Sequence, residues 1–210
     1  MLKVGITGGI GSGKTSMCKL FSLLDIPIYH ADVRAKELMV SDPRLKRKIR
    51  IIFGDEAYLP DGKLNRSHIA NIVFYNKSKL EALNDLVHPA VAEDSLRWHN
   101  SQSDVPYTLK DAALLFESHS YRALDYIITV FAPEELRIKR VMARDGLQEH
   151  EVKARIRRQM SEEEKMKMAD FVLYNGRKDK LIPQIVHIHD QLLEKGGFYE
   201  NWTGSWFRQY

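Results

Sequence analysis

Leu2-Lys3-Val4-Gly5-Ile6-Thr7-Gly8-Gly9-Ile10-Gly11-Ser12-Gly13-Lys14-Thr15 decides how the chain is read, because an apolar run breaks there into glycines that close on a lysine and a hydroxyl. Leu2 to Ile6 reads as a short, mostly buried strand. Residues 8–15 satisfy G-x-x-x-x-G-K-S/T at every position. Glycines let a backbone take positive φ and turn its N–H groups inward around phosphate oxygens. A helix starting at the loop aims its positive end at the same anion. Lys14 supplies a mobile cation for the β- and γ-phosphates, and the Thr15 hydroxyl is a compact oxygen ligand for Mg²⁺. An ordinary glycine-rich turn is the competing explanation. The apolar strand before the loop and the apolar-periodic helix after it weigh against that. ATP with Mg²⁺ is the expected ligand, and Gly11, Ser12, Gly13, Lys14, Thr15 and Ser16 are its expected contacts.

Working outward, Met17, Leu20, Phe21 and Leu24 recur at helical spacing, and Ile26-Pro27-Ile28-Tyr29 reads as a second buried strand. Strand, loop, helix and strand in this order predict a βαβ unit and a parallel sheet. The next stretch differs. Pro43 opens a helix lined by Leu45, Ile49 and Ile52, Leu59 to Lys63 forms a turn, and Ser67 caps a helix carrying Ile69, Ile72 and Val73. Leu80, Leu83 and Val87 continue in a helix that His88-Pro89 is expected to interrupt before Val91 resumes it. Residues 33–100 therefore read as an all-helical insertion. Strands return at Tyr107 to Leu109, at Tyr126 to Phe131 and at Phe171 to Tyr174. Between the last two, Pro133 opens a long charge-rich helical stretch holding Arg137, Arg140, Arg144, Arg155, Arg157 and Arg158. A closing helix with Leu181, Ile185, Ile188 and Leu192 on its core face ends at Gly196-Gly197. An aromatic tail follows, with Phe198, Tyr199, Trp202, Trp206, Phe207 and Tyr210.

The composition narrows the class. The chain has 210 residues, 44% hydrophobic and 29% charged, which suits one folded core with a small inserted unit and is too apolar for disorder. A net charge of +4 fits an anionic ligand without demanding nucleic acid. The single cysteine, Cys18, excludes a disulfide framework and a cysteine-rich zinc site. No apolar run approaches the roughly 18 residues that cross a bilayer, and glycines stand where a signal peptide would continue its apolar core. These features predict a reduced, soluble, cytoplasmic protein with no membrane or nucleic-acid partner.

A GTPase would carry Asn-Lys-x-Asp, whereas the nearest string here is Asn76-Lys77-Ser78-Lys79. What remains is a small kinase with a helical insertion for the acceptor and an arginine-bearing lid. Asp32 follows the second strand, at the carboxyl edge where open α/β sheets bind ligands. It is suited to accept the proton of an attacking hydroxyl, or equally to cap the helix over Val33 to Val40. Arg140 and Arg144 lie four apart and share a helix face, as solvated charges or as a pair of guanidiniums for phosphate oxygens. Lys46-Arg47-Lys48 and Arg50 read as the solvated face of an amphipathic helix.

The ordered set of motifs resembles the dephospho-CoA kinases. Gly5 to Thr15 is similar to that family's phosphate loop, Ala31-Asp32 to the end of its Asp-Ala-Asp motif, and His88-Pro89 to its Leu-His-Pro element. Leu114-Leu115-Phe116-Glu117, Arg140 with Arg144-Asp145, Arg155 to Gln159, Ala169-Asp170 and Asn175-Gly176 follow its later pattern in order and spacing. The resemblance implies an α/β fold of the P-loop NTPase type, three-layer α/β/α with a parallel sheet, a helical acceptor insertion and an arginine lid. It divides the chain into a core at 1–32, 101–132 and 165–195, an acceptor domain at 33–100, a lid at 133–164 and a tail at 196–210. It implies transfer of the ATP γ-phosphate to the ribose 3′-hydroxyl of dephospho-CoA, with Asp32, Lys14 and Arg140 catalytic, Arg140 and Arg144 on ATP, Asn175 near the adenine and His88 toward the acceptor. A monomer or weak homo-oligomer is expected. His30 stands where the family has its first aspartate, Ala113 replaces a proline, Asp111 is a candidate acid on the metal side, and the tail matches nothing in the pattern. Another small-molecule kinase, acting on a nucleoside, nucleotide or sugar, is the alternative, followed by a non-catalytic ATP sensor or nucleic-acid-binding protein.

Overall fold

A parallel sheet of five strands carries the larger of two compact units, and a computed structural model describes the chain over residues 1–198. The larger unit comprises Met1–Tyr29 and the chain from His99 onward; the smaller is His30–Trp98.

The strands are β1 (Leu2–Thr7), β2 (Ile28–His30), β3 (Tyr107–Asp111), β4 (Tyr126–Phe131) and β5 (Phe171–Tyr174), ordered β2-β3-β1-β4-β5. β1 pairs in parallel with β3 and β4, and β4 with β5. β2 joins through Pro27, whose carbonyl accepts the Leu109 N–H at 2.9 Å. Strands covered on both faces read as continuous apolar runs, as the sequence predicted. β3 runs two residues further than expected, because Lys110 and Asp111 are buried although charged.

One face of the sheet is covered by α1 (Lys14–Ser22) and α9 (Leu181–Lys195). Met17, Cys18 and Phe21 meet Ile185, Ile188 and Leu192 over Val4, Ile6, Leu109, Ile128 and Leu173. The buried Cys18 thiol is pushed up to about 11, chiefly by desolvation. Leu115 and Leu124 lie over Gly5, where an added Cβ would meet them at 2.8 and 2.5 Å. The expected single charge-rich helical stretch is three helices: α6 (Glu134–Asp145), α7 (Glu149–Ile156) and α8 (Glu162–Met168). Gly146 at φ 70° ends α6, and capping boxes at Gln148 and Ser161 start the other two. Gly197, at φ 70°, follows the end of α9. The expected aromatic tail beyond Phe198 lies outside the described residues.

The smaller unit is helical: α2 (Ala31–Ser41), α3 (Pro43–Phe53), α4 (Arg66–Tyr75) and most of α5 (Lys77–Asn100). Asp42 caps α3 by accepting from the N–H groups of Arg44 and Leu45, with Pro43 in the first turn. Leu45, Ile49 and Phe53 are buried, so the basic residues between them face outward. Arg34 of α2 grips Asp94 of α5 with two bonds of 2.9 Å. Two expectations are corrected here. The cap of α4 is Asn65, whose side chain accepts the His68 N–H, and the Ser67 hydroxyl bonds to that same Asn65 oxygen. Pro89 does not interrupt α5, which runs through it for 24 residues. Proline inside a helix costs one hydrogen bond and about 3 kcal/mol, and burial of Val87 and Val91 on either side offsets that.

Two buried histidines make the fold sensitive to acid. His189 Nδ1 and the Tyr107 hydroxyl share a bond of 2.9 Å, and His99 Nδ1 shares one of 2.7 Å with the Thr108 hydroxyl. Desolvation holds both imidazoles below their ordinary range, with Lys3 adding to the effect at His99. The unfolded chain takes up these protons near pH 6.5, the folded chain only at lower pH. Stability is therefore full well above pH 6.5 and falls as the pH drops through that value toward the folded values. The loss due to His189 approaches about 1.4 kcal/mol per pH unit at its steepest. Urea unfolding between pH 7.5 and 5.5 measures it. His189→Gln keeps an acceptor for the phenol without a titrating ring and should flatten the curve; an unchanged curve would remove His189 as a cause.

Candidate active site

The phosphate loop leaves β1 at Thr7 and enters α1 at Lys14. Gly11 and Gly13 take φ of 79° and 94°, a region costly for any residue with a side chain. Inside the loop, the Ser12 N–H donates to the Gly9 carbonyl at 2.9 Å and the Ser16 N–H to Gly13 at 2.9 Å. The N-terminus of α1, which carries the positive end of the helix dipole, lies at the loop.

The loop is gripped by residues of other elements. Asn175, just past β5, is buried, and its side-chain amide donates to the Ser12 carbonyl at 2.7 Å. Arg140 of α6 donates to the Gly11 and Ser12 carbonyls at 3.4 and 3.3 Å, and to the Asn175 carbonyl at 3.1 Å. A planar trans peptide points its C=O and N–H in opposite directions. Holding the Ser12 carbonyl therefore fixes the direction of the Gly13 N–H, while the Ser12 N–H is itself bonded to Gly9. Asn175 lies so close that a Cβ on Gly13 would run into its amide nitrogen.

Lys14 forms an ion pair with Asp111 at the end of β3, and both side chains are largely buried. Thr15 and Ser16 are exposed at the start of α1. Arg144, one helical turn beyond Arg140, is exposed and bonds to Asp145 at 2.7 and 2.9 Å, which raises its already high pKa. Gly8 to Ser16, Ala113, Arg140, Val141, Arg144 and Gln159 line one cleft of about 560 Å³, within the size range of small-molecule sites. Thr15 offers a hydroxyl and Asp111, paired with the preceding Lys14, a carboxylate, hard oxygens of the kind suited to a magnesium ion shared with phosphates.

The smaller unit holds the other two expected residues. Asp32 is exposed in the first turn of α2, where His30 occupies the cap position, so the capping alternative for Asp32 does not hold. His88 is exposed on α5, directly before Pro89.

Three features escaped the sequence reading. Arg137, taken as part of a charged stretch, is 4% exposed and lies 3.8 Å from Glu162. Lys165 is fully buried, 3.4 Å from Glu162 and 3.9 Å from Glu117. Gln159 accepts the Ile10 N–H at 2.8 Å. The helical period held a clue to the first, since Arg137 lies four residues before the fully buried Val141.

Comparison with known proteins follows the same lines. The sequence profile of a family described as dephospho-CoA kinase matches residues 2–180. A dephospho-CoA kinase of Bacteroides fragilis is 34% identical over 194 residues, covering 92% of this chain and 94% of its own. A crystal structure from Thermus thermophilus is similar with a TM-score of 0.77 and 33% identity, over 92% of this chain and 97% of that one. The dephospho-CoA kinase of Campylobacter jejuni reaches 0.68 with 27% identity, over 93% and 98%.

Gly13→Ala tests the grip on the loop. The added methyl strains a positive φ and displaces the Asn175 amide, together about 2–3 kcal/mol. The Kd for Mg-ATP should rise roughly 30- to 150-fold, read by calorimetry, while the chain stays folded. An unchanged Kd would show that the loop is not held this way.

Proposed function

The chain belongs to the dephospho-CoA kinase family, and from that membership we propose how its residues carry out the family's reaction. The enzyme transfers the γ-phosphoryl group of ATP to the ribose 3′-hydroxyl of dephospho-CoA, giving CoA and ADP in the last step of coenzyme A biosynthesis. The observation that carries this reading is the glycine loop, whose Gly11 and Ser12 carbonyls are held by Arg140 and Asn175.

Asp32 is the general base. Its carboxylate takes the proton of the 3′-hydroxyl as that oxygen attacks the γ-phosphorus, and the bond from phosphorus to the bridging oxygen of ADP breaks. Gly11, Ser12, Gly13, Thr15 and Ser16 form the cradle that holds the phosphates. Lys14 exchanges Asp111 for phosphate oxygens as the nucleotide enters. Thr15 would hold Mg²⁺, which when bound neutralises charge on the β- and γ-phosphates. Arg140 and Arg144 face the triphosphate from α6 and stabilise the charge that spreads in the transition state. Asn175 lies toward the adenine, and His88 toward the acceptor. Residues 33–100 act as the acceptor domain and 133–164 as the lid. The enzyme acts in the cytoplasm as a monomer or weak homo-oligomer, independent of membrane and nucleic acid. Among the described residues no helix is long and apolar enough to cross a membrane.

Incubating the purified protein with Mg-ATP and dephospho-CoA should yield a product heavier by one phosphoryl group at the ribose 3′ position. Phosphorylation of nucleosides or sugars instead would reject the acceptor. Asp32→Asn should leave ATP affinity near wild type and lower kcat by about 10²- to 10⁴-fold; unchanged turnover would remove Asp32 from the chemistry. For Arg140→Ala the loss should fall on kcat more than on the KM for ATP.

A further inference from the structure

The phosphate loop has a second hold, at Ile10. The Ile10 N–H donates to Gln159 Oε1 at 2.8 Å across 149 positions of sequence. Gln159 belongs to no helix; it lies in the short link between α7 and α8 and lines the nucleotide cleft. Its placement is set by its neighbours. The next residue, Met160, donates its N–H to Glu117 Oε1 at 2.9 Å. Glu117 lies 3.9 Å from the fully buried Lys165 ammonium, Lys165 lies 3.4 Å from Glu162, and Glu162 lies 3.8 Å from Arg137. The same Arg137–Glu162 pair packs on the loop, since a Cβ on Gly9 would meet Glu162 Oε1 at 2.5 Å.

We infer that Gln159 is a positioning residue for phosphoryl transfer: by accepting the Ile10 N–H it holds the first half of the loop in register, with the Glu117–Lys165–Glu162–Arg137 chain keeping it there. The physical reason lies in the loop's glycines. Gly8, Gly9 and Gly11 surround Ile10, so this stretch has little rigidity of its own. Asn175 and Arg140 reach only the second half, at Gly11 and Ser12. An error of about 1 Å in the loop costs rate steeply, because reacting atoms must be held near contact. The acceptor matters, and the amide end of the side chain does not.

This inference rests on the kinase reading, and the wild-type protein tests that reading separately by whether it makes CoA. The inference itself is tested by comparing variants with wild type. Gln159→Met keeps the length of the side chain and removes the acceptor; Gln159→Glu keeps an acceptor oxygen at the same reach. Gln159 is only partly buried, so neither change should shift the melting temperature appreciably. Gln159→Met should lower kcat about 10- to 100-fold with the KM for dephospho-CoA unchanged. Gln159→Glu should recover kcat to within about threefold of wild type at saturating ATP, with its added charge felt as a higher KM for ATP that grows at low salt. Equal kcat in wild type and Gln159→Met would overturn the proposal. So would equal impairment of the two variants, or a loss of kcat that only tracks a loss of folded protein.

Discussion

Every function of the nucleotide half depends on which way a few peptide units face. An anion held by backbone needs several N–H groups pointing to one centre, and a glycine-rich segment left alone samples many other arrangements. Here the loop's carbonyls are tied down by residues of other elements. Arg140 and the Asn175 amide hold those of Gly11 and Ser12, and Gln159 takes the N–H of Ile10. The arginine's charge is well used in this role. A guanidinium donates in several directions at once, so it draws on two loop carbonyls and on Asn175 while keeping its positive charge beside the cleft.

The surrounding charges are arranged so that this hold has one solution. Lys14, Arg137 and Lys165 are matched by Asp111, Glu162 and Glu117, and all six lie at least partly buried. A buried ion pair contributes little net stability over an apolar packing, but removing one partner is expensive. Such pairs discriminate between arrangements better than they strengthen any of them. An apolar contact between α8 and the loop could slide by a few tenths of an ångström at little cost. Three cations matched with three carboxylates cannot. The balanced sum also leaves Arg140, which bonds to carbonyls and an amide, and the first turn of α1 to set the field at the cleft.

Much of this was legible before the structure. The glycine loop, the strands at Tyr126 to Phe131 and Phe171 to Tyr174 and the core stripe of α9 follow from local pattern, since a buried strand or a helix face marks itself in consecutive residues. Where the reading failed, the deciding partner was distant or the local rule was overridden. Pro89 breaks helices on average, yet the burial of Val87 and Val91 carries α5 through it. Ser67 is a fair cap by type, but Asn65 reaches the His68 N–H first. Arg137 and Lys165 sit in a run of charges that composition assigns to solvent; the helical period hints only at Arg137, and their carboxylate partners Glu162 and Glu117 show why both are inside. Gln159 had no signal beyond its place in an ordered motif, because its partner is 149 positions away.

The topology explains why contributions so far apart in sequence converge. In a parallel sheet every strand ends at the same edge, and the chain returns to that edge each time it completes a strand. β1 delivers the loop itself. β3 ends in Asp111, and the segment after it reaches Glu117, so a single stretch holds Lys14 at one end and the link before α8 at the other. β4 leads into α6, which supplies Arg137 and Arg140. β5 ends beside Asn175, whose own N–H continues the sheet by donating to Phe131 at 2.8 Å. The residues that shape the loop come from the strand ends, from α6 and from the link between α7 and α8.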